Sequence, residues 1–460
     1  MSYAEFVSRK LSMVAPVGYF NPGEMPAHLF PHQRDLTAWA LRRGRCAIFA
    51  DTGLGKSRME VTWADVVTRR EGRPVLILAP LAVAAQTAQE GADIGVRVTV
   101  CRDDSDVRDG VNITNYDRLH RFDPSRFAGV VLDESSIIKH HDAKTLRILM
   151  DAFHRTPFRL CASATPAPND WTELGTHAEF LGICKRTEML SEFFTHDGGE
   201  TSVWRLKGHA REQFWKWVVS WGALIRRPSD LGHDDAAYAL PPLHLHEHAV
   251  EVEMPTNGML FALEAQTLSE RRDARRASLA DRVAECAQHV NADAQPWVVW
   301  CDLNAEGDAL RQSIPDAVEI RGSDDADVKE SRLRDFAEGR TRVLITKPSI
   351  AGFGLNWQHC ARMAFVGVTD SFEAYYQAVR RCWRFGQTRP VHVHIFASDA
   401  EGAIVANLKR KERDALAMAE SLSAETRDSV RAEVSGTQRQ TNPYNAGNVI
   451  RVPAFLKRAA

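Results

Sequence analysis

Seven consecutive residues, Asp51-Thr52-Gly53-Leu54-Gly55-Lys56-Ser57, carry the clearest chemistry in the chain. They follow a short apolar run, CAIFA, and precede a helical pattern that begins RMEVTWADVV. Strand, glycine-rich turn and helix in that order read as a phosphate-binding P-loop. Gly53 and Gly55 let the backbone curl so that its N–H groups, Thr52 among them, face phosphate oxygens. The helix that follows adds the positive end of its dipole. Lys56 is placed to reach the β- and γ-phosphates, and the Ser57 hydroxyl to ligate Mg2+. The usual first glycine of such a loop is Ala50 here.

About 75 residues further on, Val130-Val131-Leu132 runs into Asp133-Glu134, an apolar strand that ends in two carboxylates. In open parallel sheets the ligand sits at the carboxyl ends of the strands. Asp133 is therefore expected to hold Mg2+ through water, and Glu134 to act as the base that polarises the attacking water. Acidic residues at strand ends are common, and only their place after a P-loop makes this pair informative. Kinases and small GTPases share both elements, so nucleotide hydrolysis or transfer follows from them but its use does not.

The elements that must position these groups alternate along the chain. Short β-branched runs at 46–51, 75–80, 129–134 and 158–165 are separated by helical patterns, as in a parallel sheet wrapped by helices. A second series follows at 296–302, 317–320, 342–346, 363–368 and 391–396. The fold class is therefore α/β, with two tandem parallel-sheet lobes. Between them the stretch from Trp171 to Ala239 is rich in aromatics and poor in strand-like runs, and it reads as a helical insertion. Pro241-Pro242 breaks any helix and marks the passage to the second lobe. The expected organisation is an N-terminal segment (1–27), lobe one (28–170), insertion and linker (171–239), lobe two (240–400), and a helical extension with a polar tail (401–460).

Composition is that of an ordinary globular protein: 44% hydrophobic and 26% charged residues exclude a disordered chain and a coiled coil. With 58 basic and 60 acidic residues the net charge is −2, so a polyanion must be held by a local basic groove. The eight cysteines show neither a CxxC pair nor zinc spacing and read as buried thiols of a reducing cytoplasm. The longest apolar stretch, Val75 to Ala85, falls well short of the roughly 20 residues that span a bilayer. No secretory signal pattern opens the chain.

In the second lobe, Gln377-Ala378-Val379-Arg380-Arg381-Cys382-Trp383-Arg384-Phe385-Gly386-Gln387 resembles the sixth motif of superfamily-two helicases in its Swi/Snf form. The remaining motifs then fall in order: His32-Gln33, LAPLAVAAQ at 78–86, ITNYDRL at 113–119, DESSIIK at 133–139, SATPAPN at 163–169 and ITKPSIAGFGLN at 345–356. The resemblance covers roughly residues 28–400 and implies two RecA-like motor lobes that clasp ATP and Mg2+. It further implies that Gln33 reads the adenine edge and that Gln377 and Gly354 contribute to the nucleotide site. Ser163, Thr165, Gly352 and Asn356 are implied to couple nucleotide state to nucleic acid, and Arg381 and Arg384 to be the arginine fingers. Guanidinium groups brought from the opposite lobe neutralise the transferring phosphoryl, an effect on the order of 10³ to 10⁵ in rate. The chain departs from the family at the third and fourth positions of the Asp-Glu box, which are Ser135 and Ser136. A serine there is expected to hydrogen-bond toward Ser163 or Thr165. The compact size resembles phage- or prophage-encoded members.

Other features have plainer readings. Arg271, Arg272, Arg275, Arg276 and Arg282 are a solvated helix face before they are a DNA stripe. His244, His246 and His248 alternate on a strand and share one face, but no acidic or Cys partner accompanies them, so a metal site is not expected. The tryptophans between 204 and 221 read as core, with base stacking as the rival reading. Tyr19 or Phe20 is a candidate to stack on adenine. The expected activity is an ATP-driven translocase on DNA, duplex over single-stranded. An RNA helicase and a nucleic-acid clamp with weak ATPase are the alternatives. A cytoplasmic monomer of a bacterial or phage-infected cell is expected, with replication or recombination proteins as partners and no membrane.

Overall fold

The computed structural model describes residues 14–80, 83–139, 144–167, 170–197, 200–250, 278–351, 356–366, 371–398 and 426–435, with positions 410, 413 and 423. The first lobe opens with α1 (Pro31–Arg43), β1 (Arg45–Ala50), α2 (Lys56–Glu71), β2 (Val75–Ala79), α3 (Ala84–Asp93), β3 (Val98–Val100), β4 (Val111–Asn115), β5 (Gly129–Asp133), α4 (Lys144–Phe153) and β6 (Phe158–Ala162). It continues with α5 (Leu174–Leu181), α6 (Arg186–Phe193), the hairpin strands β7 (Phe194–Asp197) and β8 (Glu200–Leu206), α7 (Arg211–Val219) and β9 (Gly222–Ile225). Seven strands form one all-parallel sheet in the order β3-β4-β2-β5-β6-β1-β9.

The stretch 171–239 is therefore not a separate helical insertion. Its last strand, β9, pairs with β1 and completes the first sheet. The short apolar run GALI was masked by the tryptophans before it. Those tryptophans are core: Trp215 and Trp221 are buried with Phe193 and Phe214, and Trp171 packs edge-on against Trp215. Trp204 and Trp217 pack partly buried against the same cluster.

Each strand feeds two cores because its side chains alternate. Cys46, Ile48 and Ala50 of β1 enter one apolar cluster, and Ala47 and Phe49 the cluster on the opposite face. With both faces covered, the strands are near-continuous apolar runs, as parallel sheets require. β4 and β6 depart from this, since Asn112, Thr114 and Arg159 are buried. The Asn112 amide donates to the carbonyls of Arg108 and Gly110, and the Thr114 hydroxyl to that of Cys101, which removes the cost of burial.

The second lobe comprises β10 (Leu243–Val250), α8 (Leu279–Asn291), β11 (Trp297–Trp300), α9 (Asn304–Ser313), β12 (Ala317–Glu319), α10 (Ala326–Ala337), β13 (Val343–Thr346), α11 (Pro348–Ala351), β14 (Arg362–Phe365), α12 (Phe372–Val379) and β15 (Val391–Ser398). Six of these strands form a second parallel sheet, β10-β15-β14-β11-β13-β12. Arg282, placed above on a solvated face, is buried and pairs with Glu306 at 3.0 Å. The arginines at 271–276 lie outside the described residues.

Residues 426–435 return to the first lobe, helical through 434. Thr426, Val430 and Val434, four apart and so on one helix face, are buried, the two valines in the lobe-one core. Arg42 donates to the Val434 carbonyl at 2.8 Å, Arg43 pairs with Glu433, and Arg427 lies 3.3 Å from Asp230. All eight cysteines are free, seven of them buried. Among the described residues no helix is long and apolar enough to cross a membrane.

Candidate active site

In the first sheet β5, β6 and β1 are neighbours, so the chain leaves the same edge three times side by side. The P-loop follows β1, Asp133-Glu134 ends β5, and Ser163 follows Ala162, the partner of Asp133 in register. Sequence segments more than 100 residues apart thus converge on one edge.

The loop itself is held by left-handed glycines. Gly53 has φ 92° and Gly55 φ 80°, conformations that side-chain-bearing residues adopt at a cost. Space also demands glycine: a Cβ on Gly53 would lie 3.0 Å from the Phe385 nitrogen of lobe two, and one on Gly55 2.2 Å from the Gln33 amide. Lys56 opens α2, Ser57 follows it, and the Lys56 ammonium donates to the Ala50 carbonyl at 3.0 Å. The ammonium thus spans the loop from within.

Glu134 is the one non-glycine among the described residues with positive φ, 53°. Such a conformation costs on the order of 1–3 kcal/mol and persists where the surroundings impose it. It ends β5 abruptly and turns the Glu134 carboxyl into the cleft, where its Oε2 is buried without a hydrogen-bond partner. Burial, then Glu134, pushes the Asp133 carboxyl up to about 7, with Lys56 opposing. Glu60, one helical turn after Lys56, is a third buried carboxyl that sequence reading missed. Burial and Asp133 raise it well above the usual range, and neither of its oxygens has a partner. Three carboxyls therefore share this wall with Lys56.

The serine box behaves differently from expectation. It is the Ser135 hydroxyl that is bonded, at 3.1 Å to His177 Nε2 of α5, while no contact joins Ser136 to Ser163 or Thr165 among the described residues. Burial holds the His177 imidazole down to about 4, so it is neutral at pH 7. Ser163 instead accepts from the Thr165 N–H at 3.1 Å, closing its own turn.

Lobe two supplies the opposing wall from α12 and the turn after it. Gln377 donates across the cleft to the Thr165 hydroxyl at 3.3 Å and keeps its carbonyl oxygen buried without a partner. Arg381 is buried. Burial and Arg384 pull its guanidinium down to about 10, and Glu134 and Asp133 oppose them. Burial lowers Arg384 too, with Glu90 and Glu134 of lobe one opposing. Both predicted fingers therefore face the lobe-one carboxylates.

Arg380 was not singled out from sequence, yet it makes the firmest bridge. It donates to the Thr52 carbonyl at 2.7 Å and lies 3.4 Å from the Asp51 carboxylate, which also accepts from the Tyr376 hydroxyl at 2.9 Å. Burial alone would lower Arg380; Asp51 and Tyr376 more than offset this and leave it raised. The P-loop is thus fastened to α12 directly. Its signal in the sequence was only a second arginine beside Arg381.

Gln33 lies against the P-loop. Its amide donates to the Leu54 carbonyl at 3.0 Å and accepts from the Phe30 N–H at 3.0 Å. Beside it Phe30, Tyr238 and Phe385 form an aromatic wall, the last two stacked at 4.7 Å. Tyr19 is not part of it: its hydroxyl bonds Glu71 at the far end of α2 and its ring stacks on Phe158. Phe20 is fully exposed. Asn356 has a buried side-chain oxygen without a partner. Gly352 and Gly354 lie outside the described residues.

Two parallel-sheet lobes that present a P-loop and carboxylates on one side of a cleft and arginines on the other define an ATP-hydrolysing motor core. Residues 297–386 match the helicase conserved C-terminal domain, a span that runs from β11 through Arg381 and Arg384. The second lobe thus carries a helicase C-terminal domain over these residues. Among solved structures it is similar to the Sulfolobus solfataricus SWI2/SNF2 ATPase core in complex with dsDNA, at 16% identity and a TM-score of 0.41, over 90% of this chain and 98% of that one. No curated protein matches the chain.

Proposed function

We propose that the chain is an ATP-driven translocase that moves along DNA, duplex in preference to single-stranded, and remodels DNA structures or protein–DNA complexes. The observation that carries this reading is the division of the catalytic charges between lobes. Asp133 and Glu134 stand on one, Arg381 and Arg384 on the other, and Gln377 joins Thr165 between them. Hydrolysis then depends on how the lobes sit, and each turnover can shift one lobe against the other along a strand.

The pocket fits a Mg2+-nucleotide, since Asp133 and the partnerless Glu134 oxygen stand beside Lys56 and Ser57 as the oxygen donors such an ion takes. Ser57 and Asp133 would hold Mg2+, which supplies neutralising charge to the β- and γ-phosphates. Lys56 turns from the Ala50 carbonyl to the phosphates. Glu134, kept aimed by its backbone conformation, orients the water and takes up its proton. Arg381 and Arg384 stabilise charge on the phosphoryl group, and their burial strengthens that interaction by excluding water. The wall of Phe30, Tyr238 and Phe385 beside Gln33 offers a face for the adenine ring.

The test is steady-state ATP hydrolysis by the full chain with no polymer, duplex DNA, single-stranded DNA or structured RNA, with Lys56→Ala as the blank. The expected result is strongest stimulation by duplex DNA. Stimulation by single strands or RNA alone would assign an unwinding helicase instead, and none by any polymer would assign a clamp.

A further inference from the structure

Five histidines occupy one face of the second sheet at its β10 edge. In the parallel register of β10 and β15, His244 pairs with His392 and His246 with His394. Their rings stack in a zigzag, His246 on His394 at 4.5 Å and His248 on Phe396 at 4.4 Å. Phe396 belongs to the same apolar cluster as Val283, Cys286, Ala287 and Val290 of α8, so this face is the one that α8 covers. Glu285 and His289 of α8, four residues apart and so on one helix face, flank that contact. They supply an acidic and an imidazole partner on the histidine face of β10, from which Glu247, at the alternate position of the strand, points away.

The geometry points to a transition-metal site formed by His248, Glu285 and His289, of the kind that binds Zn2+ through two imidazoles and one carboxylate. One ligand atom from each residue falls within 4.8 Å of the others, and all three side chains are half-buried. His248 Nδ1 lies 3.5 Å from Glu285 Oε1. That is long for a hydrogen bond but matches the roughly 3.4 Å edge of a tetrahedron whose ligands stand ~2.0–2.1 Å from zinc.

The second nitrogens are already placed to fix the tautomers. His289 Nδ1 lies 3.0 Å from the Glu285 backbone carbonyl, which can only accept, so Nδ1 carries the proton and Nε2 is left to bind metal. His248 Nε2 lies 3.0 Å from His394 Nδ1. With the proton on His248 Nε2 donated to His394, His248 Nδ1 is left as the ligand. Supporting hydrogen bonds of this sort orient metal-binding imidazoles. A fourth position remains open to water, as in three-ligand zinc sites. The metal would tie the edge strand β10 to α8 within lobe two, away from the ATP cleft.

The test uses the full chain, stripped of metal and held in excess Mg2+, with Zn2+ titrated by calorimetry and by thermal unfolding. The expected result is one tight site per chain with a Zn2+-dependent rise in Tm. His289→Ala and Glu285→Gln should each weaken binding at least tenfold, while His244→Ala, outside the triad, retains it. ATP hydrolysis by the Glu285→Gln variant should be unchanged. Absence of a zinc-dependent rise in the wild type overturns the site. So does undiminished binding in Glu285→Gln and His289→Ala, or an equal loss in His244→Ala, which would assign the metal to the stacked histidines at large.

Discussion

The two walls of the ATP cleft are built by different means. On lobe one the backbone does the positioning: left-handed Gly53, Gly55 and Glu134 set the P-loop and the carboxyl within a few residues of their strands. On lobe two the reacting groups are long side chains on α12 and its following turn, held by burial and by contacts with lobe one. The reacting groups of the first wall are set by their own lobe's backbone, whereas Arg381 and Arg384 of the second face the carboxyls of the other lobe. Under the function proposed above, hydrolysis in one lobe arrangement and not in another needs this asymmetry, because the second wall meets the lobe-one carboxyls on closure.

Arg384→Ala tests that division most severely. Turnover should fall on the order of 10³- to 10⁵-fold with ATP binding largely kept, read by single-turnover hydrolysis beside nucleotide affinity. Equal losses in both would make the arginine a structural one and erase the contrast between walls. Glu134→Gln, on the self-contained wall, should lower turnover about 10²- to 10⁴-fold and leave ATP and DNA binding intact. Full turnover in that variant removes Glu134 as the base.

Asp51→Asn strikes the bond between the walls. A double-mutant cycle with Arg380→Ala, read by denaturant unfolding, should give a coupling of about 1–3 kcal/mol. Strict additivity would mean that the P-loop and α12 touch without being fastened.

The last test concerns the support beneath the carboxylates and is read only as a slope with pH. His177 is packed against Phe49 and bonded to Ser135 and the Glu173 carbonyl, and burial holds it down to about 4 from an ordinary 6.5. The unfolded chain therefore binds its proton first as pH falls. Its contribution, on the order of 3 kcal/mol, is complete above pH 6.5 and drains away between about pH 6.5 and 4. A His177→Asn variant should show a flatter Tm profile over that interval; an unchanged slope would place the proton uptake elsewhere.

What was readable beforehand follows the same asymmetry. Lys56, Asp133 and Glu134 stood out because strand, turn and reacting residue are contiguous, and Arg381 and Arg384 because their motif is. Arg380 and Asp51 lie 329 residues apart, and no local pattern joins them. His177 and Glu60 sit in apolar helical patterns that announce only a core. β9 was hidden because four apolar residues after an aromatic helix give no period of their own. The histidine row on β10 was visible as a strand face, but its neighbours on α8 come within reach only through the packing of helix on sheet.

The docking of residues 426–435 on α1 changes the meaning of the chain's order. Both the entry to lobe two, near Asp230, and the segment that follows it end on lobe one, so lobe two is in effect an insert held at both its ends. A hinge with two tethers resists twisting far more than one with a single tether. Any movement of lobe two against lobe one is thereby restrained at two points, near Asp230 and near Val434, rather than at one.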